Sequence, residues 1–166
     1  MVISLNYDDV PEHSSELEFY DGYQTPDEFD LASVNGLDFD HHAHFQLHGS
    51  VLLGTREIGD ELQLLPHYGC REEAAAQRSH PSSTSTADNH DVPSVPIVTG
   101  LRKTDKILRE PFASYHSAFR TAALEADRWL IVGYGFMDPH INSVLRSVYV
   151  SRRCAGCCYR PRYLMG

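Results

Sequence analysis

The sequence predicts an α/β domain with a doubly wound, mainly parallel sheet, incomplete and carrying a flexible insertion, and three observations support that fold class. The run Trp129-Leu130-Ile131-Val132 is continuously apolar, as strands buried on both faces of a parallel sheet are. It lies between two segments of helical periodicity and is followed by the glycine loop Gly133-Tyr134-Gly135-Phe136. With 166 residues, 42% of them hydrophobic, the chain is long enough for one domain with a substantial core.

The chain opens with Val2-Ile3-Ser4-Leu5, a β-prone run leading into Asn6-Tyr7-Asp8-Asp9. In an α/β domain such a strand is usually central and buried, so elements that should precede it are expected to be missing. Residues 10–40 contain Pro11, Gly22, Pro26 and Gly36, show no sustained 3.6 period and read as an irregular acidic excursion. Phe45-Gln46-Leu47-His48 alternates, placing His44, Gln46 and His48 on one face of a strand that Gly49-Ser50 ends, with Val51–Leu53 as a possible continuation. Residues 72–96 are expected to form a flexible insertion. Ten of the eighteen residues from Ser79 to Pro96 are Ser, Thr or Pro, too few apolar groups to offset an ordering entropy of about 1–2 kcal/mol per residue. Val95–Thr99 then reads as a short strand ended by Gly100.

Pro111 opens a helix at the position where proline is tolerated, and Phe112, Tyr115, Phe119, Ala122, Ala123 and Ala126 recur on one face. After the 129–132 strand and its glycine loop, Asp138 is placed to N-cap a second helix, with Pro139 at its first position and Ile141, Val144, Leu145 and Val148 on one side. Ligands of doubly wound sheets bind at the carboxyl ends of the strands. Asn6–Asp8, His48-Gly49 and Gly133–Phe136 are therefore expected to converge there.

Charge and composition exclude several classes. The net charge of −9 opposes sequence-independent nucleic-acid binding, which needs a basic surface. Residues 1–46 hold eleven acids and no Lys or Arg, whereas 151–166 hold four Arg and no acid, so the tail is set apart as an atypical basic Cys/Arg segment. No apolar run approaches the roughly 18–20 residues of a membrane span, and no signal pattern is present. A cytoplasmic protein with reduced thiols is expected, with Cys70 alone and Cys154, Cys157 and Cys158 in the tail.

Taken together, Ser4-Leu5-Asn6-Tyr7-Asp8, Leu47-His48-Gly49-Ser50, Ile97-Val98-Thr99-Gly100, the run from Ala126 to Phe136, Asp138 and His140-Ile141-Asn142 resemble the sirtuin-like (silent information regulator 2-like) domains of bacteria over residues 1–150. The resemblance implies a Rossmann-like NAD-binding domain that cleaves the bond between nicotinamide and ribose, with NAD as substrate. On it, Asn6 and His48 are the catalytic residues: Asn6 orients water or the ribose, and His48 is the base. Asn6, Asp8, Gly49, Gly133, Tyr134 and Gly135 are the cofactor-binding residues. An oxocarbenium-like ribose centre needs a polar group to place a water and a base that titrates near neutrality, which Asn and His supply. Asp138 would already occupy the helix donors a pyrophosphate could use, so that helix is expected to cap the site rather than cradle phosphate.

The family's Gly-Ala-Gly-Ser type phosphate loop and its last strand have no counterpart here, so a chain truncated at both ends, and an incomplete cofactor site, are expected. The two Cys-x-x-Cys pairs of the deacylase sirtuins are also absent from the interval after His48, which holds only Cys70, and no zinc is expected. The family's zinc-free branch implies hydrolysis of NAD to nicotinamide and ADP-ribose, often in antiphage defence. The alternatives are an NAD-dependent protein deacylase and a catalytically inactive fragment with a structural or interaction role. His41, His42, His44 and His48 read as a solvated cluster rather than a metal site, Cys154-x-x-Cys157-Cys158 as exposed thiols, and most of Asp8, Asp9 and Glu12 as solvated. NAD is the expected partner, with no nucleic acid and no membrane, and self-association stays open.

Overall fold

The structure is a computed structural model that describes residues 1–7, 9–38, 40, 42–54, 66–78, 84–85, 92–93, 98 and 107–154. The chain divides into two units, Met1–His116 and Ser117–Gly166.

In the first unit, β1 (Val2–Ser4), β2 (Phe19–Tyr20) and β5 (His42–Gln46) form a parallel sheet in the order β1-β5-β2. The register pairs Val2 with His44, Ile3 with Phe45 and Ser4 with Gln46, and on the other side Phe19 with His42 and Tyr20 with Ala43. Two of the sequence expectations are corrected here. Among the described strands β5 is the central one and β1 lies at an edge, with Val2 41% exposed. The strand expected to run to His48 ends at Gln46, with Leu47 and His48 in the turn that follows, and residues 43–50 are all buried. Nor do Val51–Leu53 extend the strand. Gly49 takes a φ of +109° and Ser50 accepts the Leu52 N–H on its hydroxyl at 3.1 Å, so the chain turns there instead.

The segment expected to be irregular is built from short elements. They are α1 (Val10–Ser14), the antiparallel pair β3 (Tyr23–Thr25) and β4 (Glu28–Phe29), and α2 (Leu31–Gly36). Each is held by local chemistry that leaves no periodic signature. The Asp21 carboxylate accepts the Tyr23 N–H at 2.9 Å, and Asp30 caps α2 by accepting the Ser33 N–H at 3.0 Å. Gly22 sits at φ +95°, where a Cβ would come within 2.6 Å of the Phe29 ring and 2.8 Å of Val34.

Further along, α3 (Arg71–Arg78) occupies the start of the stretch expected to be a flexible insertion, and β6 (Thr84–Ser85) pairs antiparallel with β7 (Val92–Pro93). The rest of 79–96 lies outside the described residues, as does the expected strand at 95–99 apart from Val98. Val98 is buried and its N–H donates to the His48 carbonyl at 2.8 Å.

Helix α4 (Phe112–Glu125) begins directly after Pro111, as the sequence predicts, and Phe112, Tyr115, Ala118 and Ala123 are buried. Its first turn closes the core of the first unit. The Tyr115 ring stacks on Phe45 at 4.9 Å and 12°, meets Phe29 edge-on at 5.8 Å, and its hydroxyl donates to the Asp21 carbonyl at 2.5 Å.

In the second unit the expectation at 129–132 is corrected: no strand forms there, and Leu130 and Val132 are each 79% exposed. An apolar run becomes a strand only where a neighbour supplies hydrogen bonds, and among the described residues none pairs with it. Trp129 is held by its indole N–H, which donates to the Ala123 carbonyl at 3.1 Å. Helix α5 (Pro139–Cys154) starts at the predicted position and buries Ile141 and Val148. It continues through Ser151–Cys154, the first residues of the segment set apart by its charge, and residues 155–166 lie outside the described residues. No helix among the described residues is long and apolar enough to cross a membrane.

Candidate functional site

Parallel strands end on the same edge of a sheet, so the residues after β1 and β5 meet there. The Leu47 N–H donates to the Ser4 carbonyl at 3.0 Å, continuing the contact one step past the paired residues. The Gly49 N–H then turns back to the Gln46 carbonyl at 3.4 Å, and the Val51 N–H donates to the Tyr7 carbonyl at 2.8 Å. The loop that carries Asn6 and the turn that carries His48 are thus joined backbone to backbone.

Asn6 is exposed, and its N–H donates to the Ser4 hydroxyl at 3.0 Å. His48 is 8% exposed, its carbonyl engaged by Val98. Gly49 has a conformational reason to be glycine, because a side chain at φ +109° is strained whatever space surrounds it. Asp8 lies outside the described residues.

Gly133, Tyr134 and Gly135 belong to the second unit. Gly133 adopts φ +64° with open space where a Cβ would point, whereas a Cβ on Gly135 would meet only Met137, at 3.9 Å. Half-buried Tyr134 donates to the Asn142 side-chain oxygen at 3.0 Å, and Asn142 in turn donates to the Phe136 carbonyl at 2.7 Å, so the loop is tied to the first turns of α5. Desolvation raises the Tyr134 phenol above its ordinary pKa, which keeps it a donor. Asp138 accepts the His140 and Ile141 N–H groups at 2.9 and 3.5 Å. Those donors are occupied, so the N-terminus of α5 does not fit a pyrophosphate.

Two ionic constellations went unread in the sequence. Asp9, expected among the solvated acids, is 1% exposed and receives both Nε and Nη2 of Arg71, with Nε at 2.8 Å from each carboxylate oxygen. A carboxylate this buried requires such a partner. The second pair is His67 Nδ1 with Asp21 at 2.8 Å, the imidazole stacked on Tyr23 at 5.3 Å. No local spacing signals either pair, since the partners are 62 and 46 residues apart.

Burial pushes the Asp21 carboxyl up, but the hydrogen bond and charge of His67 and the Tyr23 N–H outweigh it and hold it below the usual carboxylate range. A depressed carboxylate contributes stability above its unfolded pKa and loses it as pH falls through the folded one, a window that begins near ~3.9 and extends downward. Wild-type protein is therefore expected to lose stability below that pH more steeply than Asp21→Asn, and urea midpoints at several acidic pH values check it. Parallel acid limbs for the two proteins would remove Asp21 as a source of acid sensitivity.

Among the described residues no group of three or more His, Cys, Asp or Glu side chains could hold a metal ion. Of the histidine cluster, His42 is exposed, His44 is buried with its ring edge-on to Phe19 at 5.8 Å, and His41 lies outside the described residues. Comparison with models of known protein families and with characterised proteins finds no match.

Proposed function

We propose that the chain is an NAD-binding, Rossmann-like domain of sirtuin type that hydrolyses NAD to nicotinamide and ADP-ribose. The observation that supports this most directly is the 2.8 Å hydrogen bond from Val51 N–H to the Tyr7 carbonyl, which ties the loop of Asn6 to the turn of His48 at the carboxyl edge of β1 and β5.

In this reading Asn6, exposed at the edge, positions a water against the anomeric carbon of the nicotinamide ribose. The water oxygen bonds to that carbon as the bond to nicotinamide breaks, and the His48 imidazole takes the water's proton. A cytoplasmic location and a part in antiphage defence belong to this reading through the resemblance alone.

Incubated with NAD and no acylated peptide, the protein is expected to release nicotinamide and ADP-ribose in equal amounts, as chromatography of the products would show. Strict dependence on an acylated peptide would replace hydrolysis with deacylation as the reaction.

A further inference from the structure

We infer that the Asp9–Arg71 ion pair is the fastening that fixes the Asn6 loop against the His48 turn, which makes Arg71 a positioning residue for the site; its catalytic consequence rests on the function proposed above. The inference comes from a closed circuit of contacts. The Val51 N–H holds the Tyr7 carbonyl at 2.8 Å. Immediately after Val51, the Leu52 carbonyl accepts the Tyr68 N–H at 2.9 Å, and the Gly54 N–H donates to the Pro66 carbonyl at 2.7 Å. Leu53 and His67 form an antiparallel bridge between these two bonds. The segment 66–68 is itself anchored, since the His67 N–H donates to the Pro26 carbonyl at 2.9 Å and its ring pairs with Asp21.

Three residues beyond Tyr68, Arg71 opens α3 and closes the circuit on Asp9, two residues after Tyr7. The His48 turn and the Asn6 loop are thus connected directly through Tyr7 and Val51, and also by way of 66–71 through the ion pair. The pair suits this role because a guanidinium holding a carboxylate through two of its nitrogens fixes orientation as well as distance, which a single lysine ammonium does not. Because Asp9 is buried whereas Arg71 is half exposed, the acid is the fixed point and the arginine reaches in from α3.

The test uses the full chain and reads hydrogen exchange first. In Arg71→Met the Val51 amide is expected to exchange about 10-fold faster or more, while the Leu47 amide, bonded to Ser4, changes less than about 2-fold. Arg71→Lys should fall between wild type and Arg71→Met. If Arg71→Met does not fold, because it takes the guanidinium away from a buried carboxylate, Asp9→Asn with Arg71→Met removes that charge and answers the same question. Unchanged Val51 exchange in the variant that folds overturns the inference.

Nicotinamide release supplies the second readout. A positioning role lowers kcat by about 10-fold or more with KM for NAD changed less than about 3-fold, and makes Asn6→Ala with Arg71→Met no slower than Asn6→Ala alone. Fully multiplicative losses would mean that Arg71 does not act through Asn6 and would overturn the catalytic half. A wild-type protein that releases no nicotinamide defeats the hydrolase reading, whereas the exchange result still decides whether the ion pair holds the loop.

Discussion

Replacing His48 with Ala is expected to lower nicotinamide release by roughly 10² to 10⁴-fold, the usual contribution of a positioned acid or base. Expressed as a barrier, that is about 3–5 kcal/mol at about 1.4 kcal/mol per tenfold. The backbone bonds around His48, from Gly49 to Gln46, from Val98 to the His48 carbonyl and from Val51 to Tyr7, do not involve the imidazole, so truncating it leaves them in place. The imidazole is nonetheless buried, and its loss leaves a cavity at the sheet edge. The comparison therefore needs His48→Gln as a second variant, which fills the space with a polar group that cannot serve as a base near neutral pH. Both variants should be folded by circular dichroism and slow by nicotinamide chromatography. Undiminished release by either folded variant would remove His48 from the mechanism.

The largest expected effect on stability is at Phe45. Its ring is fully buried in the central strand and stacks on Tyr115 at 4.9 Å, so Phe45→Ala loses the transfer free energy of the ring, leaves a cavity and breaks an aromatic pair. Large-to-small changes of this kind cost about 3–5 kcal/mol, against a total of about 5–15 kcal/mol for a typical domain. Denaturant unfolding of the variant should show a much lower midpoint, or a chain unfolded without denaturant. A loss below about 1 kcal/mol would mean that the β5 face does not pack as a core against Tyr115.

Elements set by strong local signals were legible in the sequence. Pro111 and the apolar spacing from Phe112 onward locate α4, and Asp138-Pro139 locates the start of α5, because capping and proline effects act within one turn and need no partner from elsewhere. The strand ahead of Asn6 and the one leading toward His48 were readable from β-prone runs ended by turn formers, although β5 both starts and ends earlier than the alternation suggested and leaves His48 in the turn.

The places where the reading failed have a common cause. Trp129–Val132 has the composition of a buried strand, but composition does not provide the neighbour whose backbone would pair with it, and Leu130 and Val132 are exposed. Residues 10–40 were opaque because elements of two to six residues are shorter than the window in which a period of 3.6 or 2 can be counted.

By itself the sequence determined the α/β class and the two long helices, since these follow from propensity and spacing. Only the tertiary structure decided that β5 lies between β1 and β2, that the Asn6 loop is bonded to the His48 turn, and that Asp9 is a buried acid paired with Arg71. Each of these is a contact between residues distant along the chain. Whether a carboxylate is solvated or paired depends on what folding brings beside it, and that depends on burial and register, which no local pattern encodes.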